Sequence, residues 1–204
     1  MTGGDLRAAR RRATTLNIET IAVELALEMG SDAVTVEAIC ERALISPRTF
    51  YNYFTSRDAA LIGEGWPQPS PESVARFLAG GTDGLLSDLV ELCAGTGPKT
   101  EAERVLLERR MKLIEQEPAW AEKSMANFGE ALDMMANIVL SRLETAGRSV
   151  EDEPDLYEVA KLSVMLTGAV LHTTTHGNPM VGEVDREEMN RVVDLARRTM
   201  KGML

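Results

Sequence analysis

Aromatic side chains are scarce in this chain. They make up 4% of its 204 residues. Cysteine is scarcer, with only Cys40 and Cys93, too few for a disulfide framework or a zinc finger. No apolar run approaches the ~18 residues that a bilayer span needs, so a transmembrane reading is excluded. The opening Met1-Thr-Gly-Gly-Asp-Leu-Arg has no apolar stretch behind its charges. No secretory leader is read there, and the expected location is the cytoplasm. A Gly-rich phosphate loop, a Gly-x-Ser-x-Gly elbow and a Glu-x-x-His pair are all missing; Ala169 and Thr173 stand three residues before His172 and His176. The expectation is therefore no catalytic residue, no cofactor and no enzyme. What the chain does have is an apolar fraction of 44%, ordinary for a folded protein and too high for wholesale disorder. It also has a net charge of −10, which at face value speaks against a nucleic-acid partner.

That charge is unevenly spread. Residues 1–62 hold seven basic and eight acidic side chains, a net of −1, and residues 63–204 carry the remaining −9. Four arginines (Arg7, Arg10, Arg11, Arg12) crowd the first twelve residues against Asp5. They read either as a solvated tail or as a flexible basic arm that grips phosphate on binding. The aromatics are uneven as well. Phe50, Tyr51, Tyr53 and Phe54 fall within five positions, and such clustering of scarce residues asks for a local cause.

Hydrophobic spacing predicts helices throughout and no strand. Ile18, Ile21, Ala22, Leu25, Ala26 and Met29 form one helical stripe, with Gly30 as its stop. Thr35 can cap a second helix with Val36, Ile39, Cys40 and Ala43 inward. Ser46 and Pro47 suit the cap and first position of a short third helix, Pro47 to about Phe54. Thr55 or Ser56 can cap a fourth. A loose stretch over 63–71 follows, rich in Gly and Pro, and marks a boundary. Further helices are read near 72–79, 83–94, 100–117, 119–146, 155–176 and 185–203. The fold class is all-α: an N-terminal helix-turn-helix three-helix domain at 1–62, then a helical bundle at 63–204, with about nine helices.

Two short helices joined by a tight turn are the layout of a helix-turn-helix, whose second helix enters the major groove. Phe50 and Phe54, four apart, can pack inward. That leaves Arg48, Thr49, Tyr51, Asn52 and Tyr53 on the other sides. Arg48 suits a guanine edge, Asn52 an adenine edge and the Thr49 methyl a thymine methyl. Thr35 and Ser46 sit at helix starts, where a hydroxyl and free N–H groups favour phosphate; Pro47, at the first helical position, is counted with the DNA-binding residues. Tyr51 and Tyr53 can offer hydroxyls, and Arg57 a charge, to the backbone. The bland alternative is that the aromatic cluster is core only.

The run from Thr35 to Leu61 resembles the DNA-binding segment of TetR-family repressors. Its most telling piece is Ser46-Pro-Arg-Thr-Phe-Tyr-Asn-Tyr-Phe-Thr-Ser-Arg57. The resemblance covers about residues 16–62. Where the family often has Gly, Ala and Lys, this chain has Leu44, Cys40 and Arg57. The resemblance implies a homodimer on double-stranded operator DNA, and a C-terminal domain that relaxes binding when a small, largely apolar effector enters. It thus points to a ligand-responsive transcriptional regulator, most simply a repressor. The alternative is a helix-turn-helix protein that serves as a protein–protein adaptor without binding DNA.

Beyond residue 62 the signals are thinner. Segment 155–176 is apolar on more than one face. With 185–203 it suits a dimer interface; the other reading is a buried central helix of a monomer. Met111, Met125, Met135 and Met165 are core or soft pocket lining, and Phe128 lies on the same stripe as Met125. Trp120, Asn127 and His172 are polar-capable neighbours that could orient a ligand. His172 and His176, four apart, could share a metal, but the segment offers no acidic partner at matching spacing, so no metal is expected. Cys40 and Cys93 read as small core residues.

Overall fold

The structure is a computed structural model that describes residues 3–63, 68–174 and 186–203. All regular elements among these residues are helical: ten α-helices, one at each of the segments read from the sequence, and one 3-10 turn. They fall into two compact units, one built from Met1–Trp66 and Pro98–Asn127, the other from Pro67–Gly97 and Phe128–Leu204.

The first unit begins with α1 (Gly3–Met29). Its stripe of Ile18, Ala22, Leu25 and Ala26 is buried, as the spacing predicts. The helix nevertheless starts at Gly3 rather than near 16. Residues 6–13 are exposed, so no apolar period could mark them. Leu, Ala and Arg are good helix formers and extend the helix by propensity alone. The basic stretch is therefore a helical extension and not a flexible arm. Gly30 ends α1 with a φ of 84°, a value glycine adopts without strain, and a 3-10 turn follows at Ser31–Ala33.

Helices α2 (Val36–Ala43), α3 (Pro47–Tyr51) and α4 (Arg57–Ile62) come next, capped by Thr35, Ser46 and Ser56. Each capping oxygen accepts a backbone N–H that would otherwise lack a partner. Between α2 and α3, Leu44 takes the left-handed conformation (φ 56°, ψ 42°) and is 92% exposed. The turn thus keeps the geometry glycine would give it, with a leucine in place. Phe50, Phe54, Ile39, Leu61 and Trp120 join the α1 stripe in one core. Burying each large side chain of this kind contributes ~1.5–3 kcal/mol.

Helix α7 (Glu101–Gln116) completes this unit and opens on a capping box of Thr100 and Glu103. Its Arg110 pairs with Glu19 of α1 and donates to the carbonyls of Leu61 and Ala60 at the end of α4. Arg109 pairs with Glu24. Helix α8 (Pro118–Thr145) follows directly.

The second unit holds α5 (Pro71–Leu78), α6 (Leu85–Ala94), the later turns of α8, α9 (Leu156–Thr174) and α10 (Arg186–Met203). Phe77, Leu89, Met135, Val139, Leu143 and Leu156 form one core cluster, and Val90, Val170, Leu171, Met189, Val192 and Val193 another. On α8, Met135, Val139 and Leu143 are buried, whereas Met125 and Phe128 are exposed. The side chain of Arg142 is wholly enclosed. It donates to the Gly81 carbonyl and to Asp88, and it stacks on the Phe77 ring at 4.6 Å.

Candidate nucleic-acid interface

The candidate interface is set by how α3 is held. Ser46 Oγ accepts from the Thr49 N–H at 3.1 Å and lies 2.9 Å from Thr49 Oγ1. Pro47 takes the first helical position, where its missing N–H costs nothing. Phe50 is fully buried, with Phe54 5.3 Å away, ring centre to ring centre. These contacts fix one side of the short helix to the core. The opposite side is forced outward.

Arg48, Tyr51 and Asn52 occupy that outward side, and all three are exposed. Their spacing of three and four residues puts them on one helical face. The Tyr51 ring meets Phe50 edge-on at 5.4 Å, which orients it without burying it. Thr49 is half-buried beside its cap. At the start of α2, Thr35 Oγ1 accepts from Ala38 N–H at 3.1 Å. A capping hydroxyl still has its own proton to donate, so Thr35 keeps a donor for an oxygen acceptor such as phosphate.

Tyr53 and Arg57 are placed differently from the other candidates. Tyr53 is half-buried, and the Arg11 guanidinium lies 5.0 Å above its ring. Arg57 is committed within the unit. Its Nη1 donates to the carbonyls of Ser31 and Val34 at 3.2 and 3.1 Å, while Nε and Nη2 donate to Asp58. Every nitrogen of the guanidinium already has an acceptor. The charge read as a phosphate contact here pins α4 to the turn before α2. The same corner carries Lys123, which pairs with Asp58 and stands 4.7 Å over the Trp120 ring. Burial pushes the Asp58 carboxyl up, but the hydrogen bonds from Lys123 and Arg57 outweigh it and hold the group below its ordinary value.

Arg11 adds a contact that no local sequence motif marks. Its Nη2 donates to the Asn52 carbonyl at 3.2 Å. In the sequence only the basic cluster signals it, because the partner lies 41 residues away.

The candidate pocket residues divide between the two units. Trp120 is buried in the first unit, and its Nε1 donates to Ser31 Oγ and Glu117 Oε2. That N–H is already used inside the core, contrary to the ligand-orienting role read for it. Met111 and Asn127, also of the first unit, are half-buried, and Met125 is exposed. In the second unit Met135 is buried, while Phe128, Met165 and His172 are exposed. His176 lies outside the described residues. Among the described residues no group of three or more His, Cys, Asp or Glu is placed to hold a metal. Cys40 is buried and Cys93 half-buried; burial pushes the Cys93 thiol up to about 12.

Residues 20–62 match the family model described as bacterial regulatory proteins, tetR family. The chain carries a TetR-family DNA-binding domain. Within the TetR match lie the caps Thr35, Ser46 and Ser56, the buried Phe50 and Phe54, and the outward Arg48, Tyr51 and Asn52. This makes the chain a DNA-binding helix-turn-helix transcription regulator. No curated protein matches the chain significantly. No helix among the described residues is long and apolar enough to cross a membrane.

Proposed function

We propose that this regulator is a ligand-responsive repressor that holds double-stranded operator DNA as a homodimer and leaves it when a small, largely apolar effector binds. The observation that carries the reading is the exposed Arg48–Tyr51–Asn52 face, presented by a capped helix whose other side is fixed by Phe50 and Phe54. Arg48 reads a guanine edge, Asn52 an adenine edge, and Thr49 a thymine methyl. Thr35, Ser46, Tyr51 and Tyr53 set the register on phosphates, and Pro47 holds the first turn of α3 against the duplex.

The division of labour is functional: residues 1–62 read DNA, and residues 63–204 bind the effector and dimerise. Support for the dimer comes from α9, where Leu162 and Met165 are 62% and 54% exposed, and from Leu195 on α10 at 44%. Large apolar side chains left open on neighbouring helices of one unit suit a symmetric helix-on-helix contact. In the bound dimer the two copies of α3 stand about one DNA turn apart, about 34–36 Å. Effector binding changes that spacing, with a coupling of about 1–3 kcal/mol between effector and operator.

The test is selection of DNA fragments by the purified protein, followed by gel shifts on the selected sequence with candidate apolar ligands. Recovery of a two-fold operator that ligand releases supports the repressor. A folded protein that selects no sequence makes it an adaptor instead.

A further inference from the structure

We infer that the N-terminal extension of α1 is a second DNA-contacting element, which grips phosphates of the duplex beside the bases that α3 reads. The inference rests on the DNA-reading role proposed above and adds to it a surface outside residues 20–62, the span of the family match.

Three observations carry it. First, the basic stretch is helical from Gly3 onward, so its arginines hold fixed positions on a helix. Arg7, Arg10 and Arg11 share one face by their spacing of three and four residues. Second, this face is anchored at the edge of the reading helix. Arg11 donates to the carbonyl of Asn52, the C-terminal cap of α3, and covers the Tyr53 ring. Asn52 belongs to the outward reading face, so a duplex against α3 meets the arginine stripe next. Third, Arg7 and Arg10 are exposed and serve no apolar core. Arg7 lies one helical turn beyond Arg11, about 6 Å along the axis. Duplex DNA offers the matching partner, a regular row of phosphate charges.

The extension also accounts for how a domain with a net charge of −1 can hold a polyanion. Its positive charge is placed rather than abundant: Arg48 on the reading face and the arginines beside it. Contacts of this kind position the protein and strengthen binding without selecting sequence.

The experiment compares the full-length protein with Arg7→Ala/Arg10→Ala and with Arg48→Ala, on the selected operator and on random duplex, over a range of salt. Thermal melting of each variant checks its folding. For the double variant the dependence of log affinity on log salt becomes shallower by about 1.8 for each bound copy, since each phosphate contact contributes about 0.9. The preference for operator over random DNA stays as in the parent. Hydroxyl-radical footprints lose protection at the flanks of the site and keep it at the centre. A double variant with the parent's salt slope and footprint, while Arg48→Ala abolishes operator binding, overturns the arginine element and leaves the reader intact. Weaker binding with an unchanged slope overturns it as well, since that is the mark of a merely structural role. Undiminished operator binding by Arg48→Ala overturns the reading on which the inference rests.

Discussion

Trp120 donates its indole N–H to Ser31 Oγ across 2.8 Å, although the two residues lie 89 positions apart. Both also bond Glu117. Ser31 gives it a backbone N–H at 3.1 Å and its hydroxyl proton, and Trp120 reaches its second oxygen at 2.9 Å. The start of α8 is thereby tied to the turn that leads into α2. Replacing Trp120 by Phe keeps most of the apolar area but removes a donor to a charged acceptor. A loss of about 1.5–3 kcal/mol is expected, the usual range for such a bond. Urea unfolding of Trp120→Phe, Ser31→Ala and the double variant measures it, and the double loss should fall short of the sum.

The same corner makes stability depend on acid. The Ser31 hydroxyl bond, with smaller help from the Ser31 N–H, Trp120 and Arg57, holds the Glu117 carboxyl below its ordinary value of 4.5. Asp58 is held below 3.8 by Lys123 and Arg57 against the opposing effect of burial. A carboxylate lowered in the folded state contributes stability that is complete above its unfolded value and is lost as pH falls through the folded one. The midpoint of urea unfolding should therefore be flat near neutrality and drop below about pH 4.5. Glu117→Gln should be less stable at pH 7 and show a gentler drop in acid. An acid slope identical to the parent's would remove Glu117 from this role.

Leu44 occupies a left-handed backbone position at φ 56°. For an L residue with a γ-branched side chain that conformation costs roughly 1–2 kcal/mol, partly offset on change to glycine by the greater freedom of the unfolded chain. The side chain is exposed, so its removal sacrifices almost no packing. Leu44→Gly should raise stability by a few tenths to about 1 kcal/mol, read as a higher melting temperature with operator binding intact. Leu44→Pro, whose φ is fixed near −65°, should unfold the turn and abolish binding.

Within the second unit, Gly80 faces the enclosed guanidinium of Arg142. A Cβ at position 80 would lie 2.5 Å from its Nη2. Arg142 cannot retreat cheaply, since Gly81 and Asp88 hold it and Phe77 covers it. Gly80→Ala should cost about 1–3 kcal/mol, the usual range for forcing an extra carbon into a close-packed site. The parent's denaturation midpoint in Gly80→Ala would show that the loop yields freely.

How legible was all this in the sequence? The three reader helices were, because their signals are local. Ser46, Pro47, Phe50 and Phe54 lie within nine positions and specify cap, first turn and core face together. The early start of α1 was hidden, since residues with no buried face leave no period. Arg57 looked like a surface charge because its true acceptors, the carbonyls of Ser31 and Val34, lie 26 and 23 positions away. Trp120 looked like a pocket residue for the same reason. Met125 and Phe128 share the helical stripe of Met135, yet the described core takes up only the later part of that stripe. Periodicity states that a face exists, not what covers it.

The central claim is that the Arg48–Tyr51–Asn52 face reads operator DNA. The most direct test is operator binding by Arg48→Ala and Tyr51→Ala, measured beside the parent on the selected sequence and with folding checked by melting. Both residues are exposed, so both variants should stay folded. The account predicts that specific binding is lost in each while weak, salt-sensitive binding to random duplex survives. Undiminished specific binding in both folded variants would contradict it.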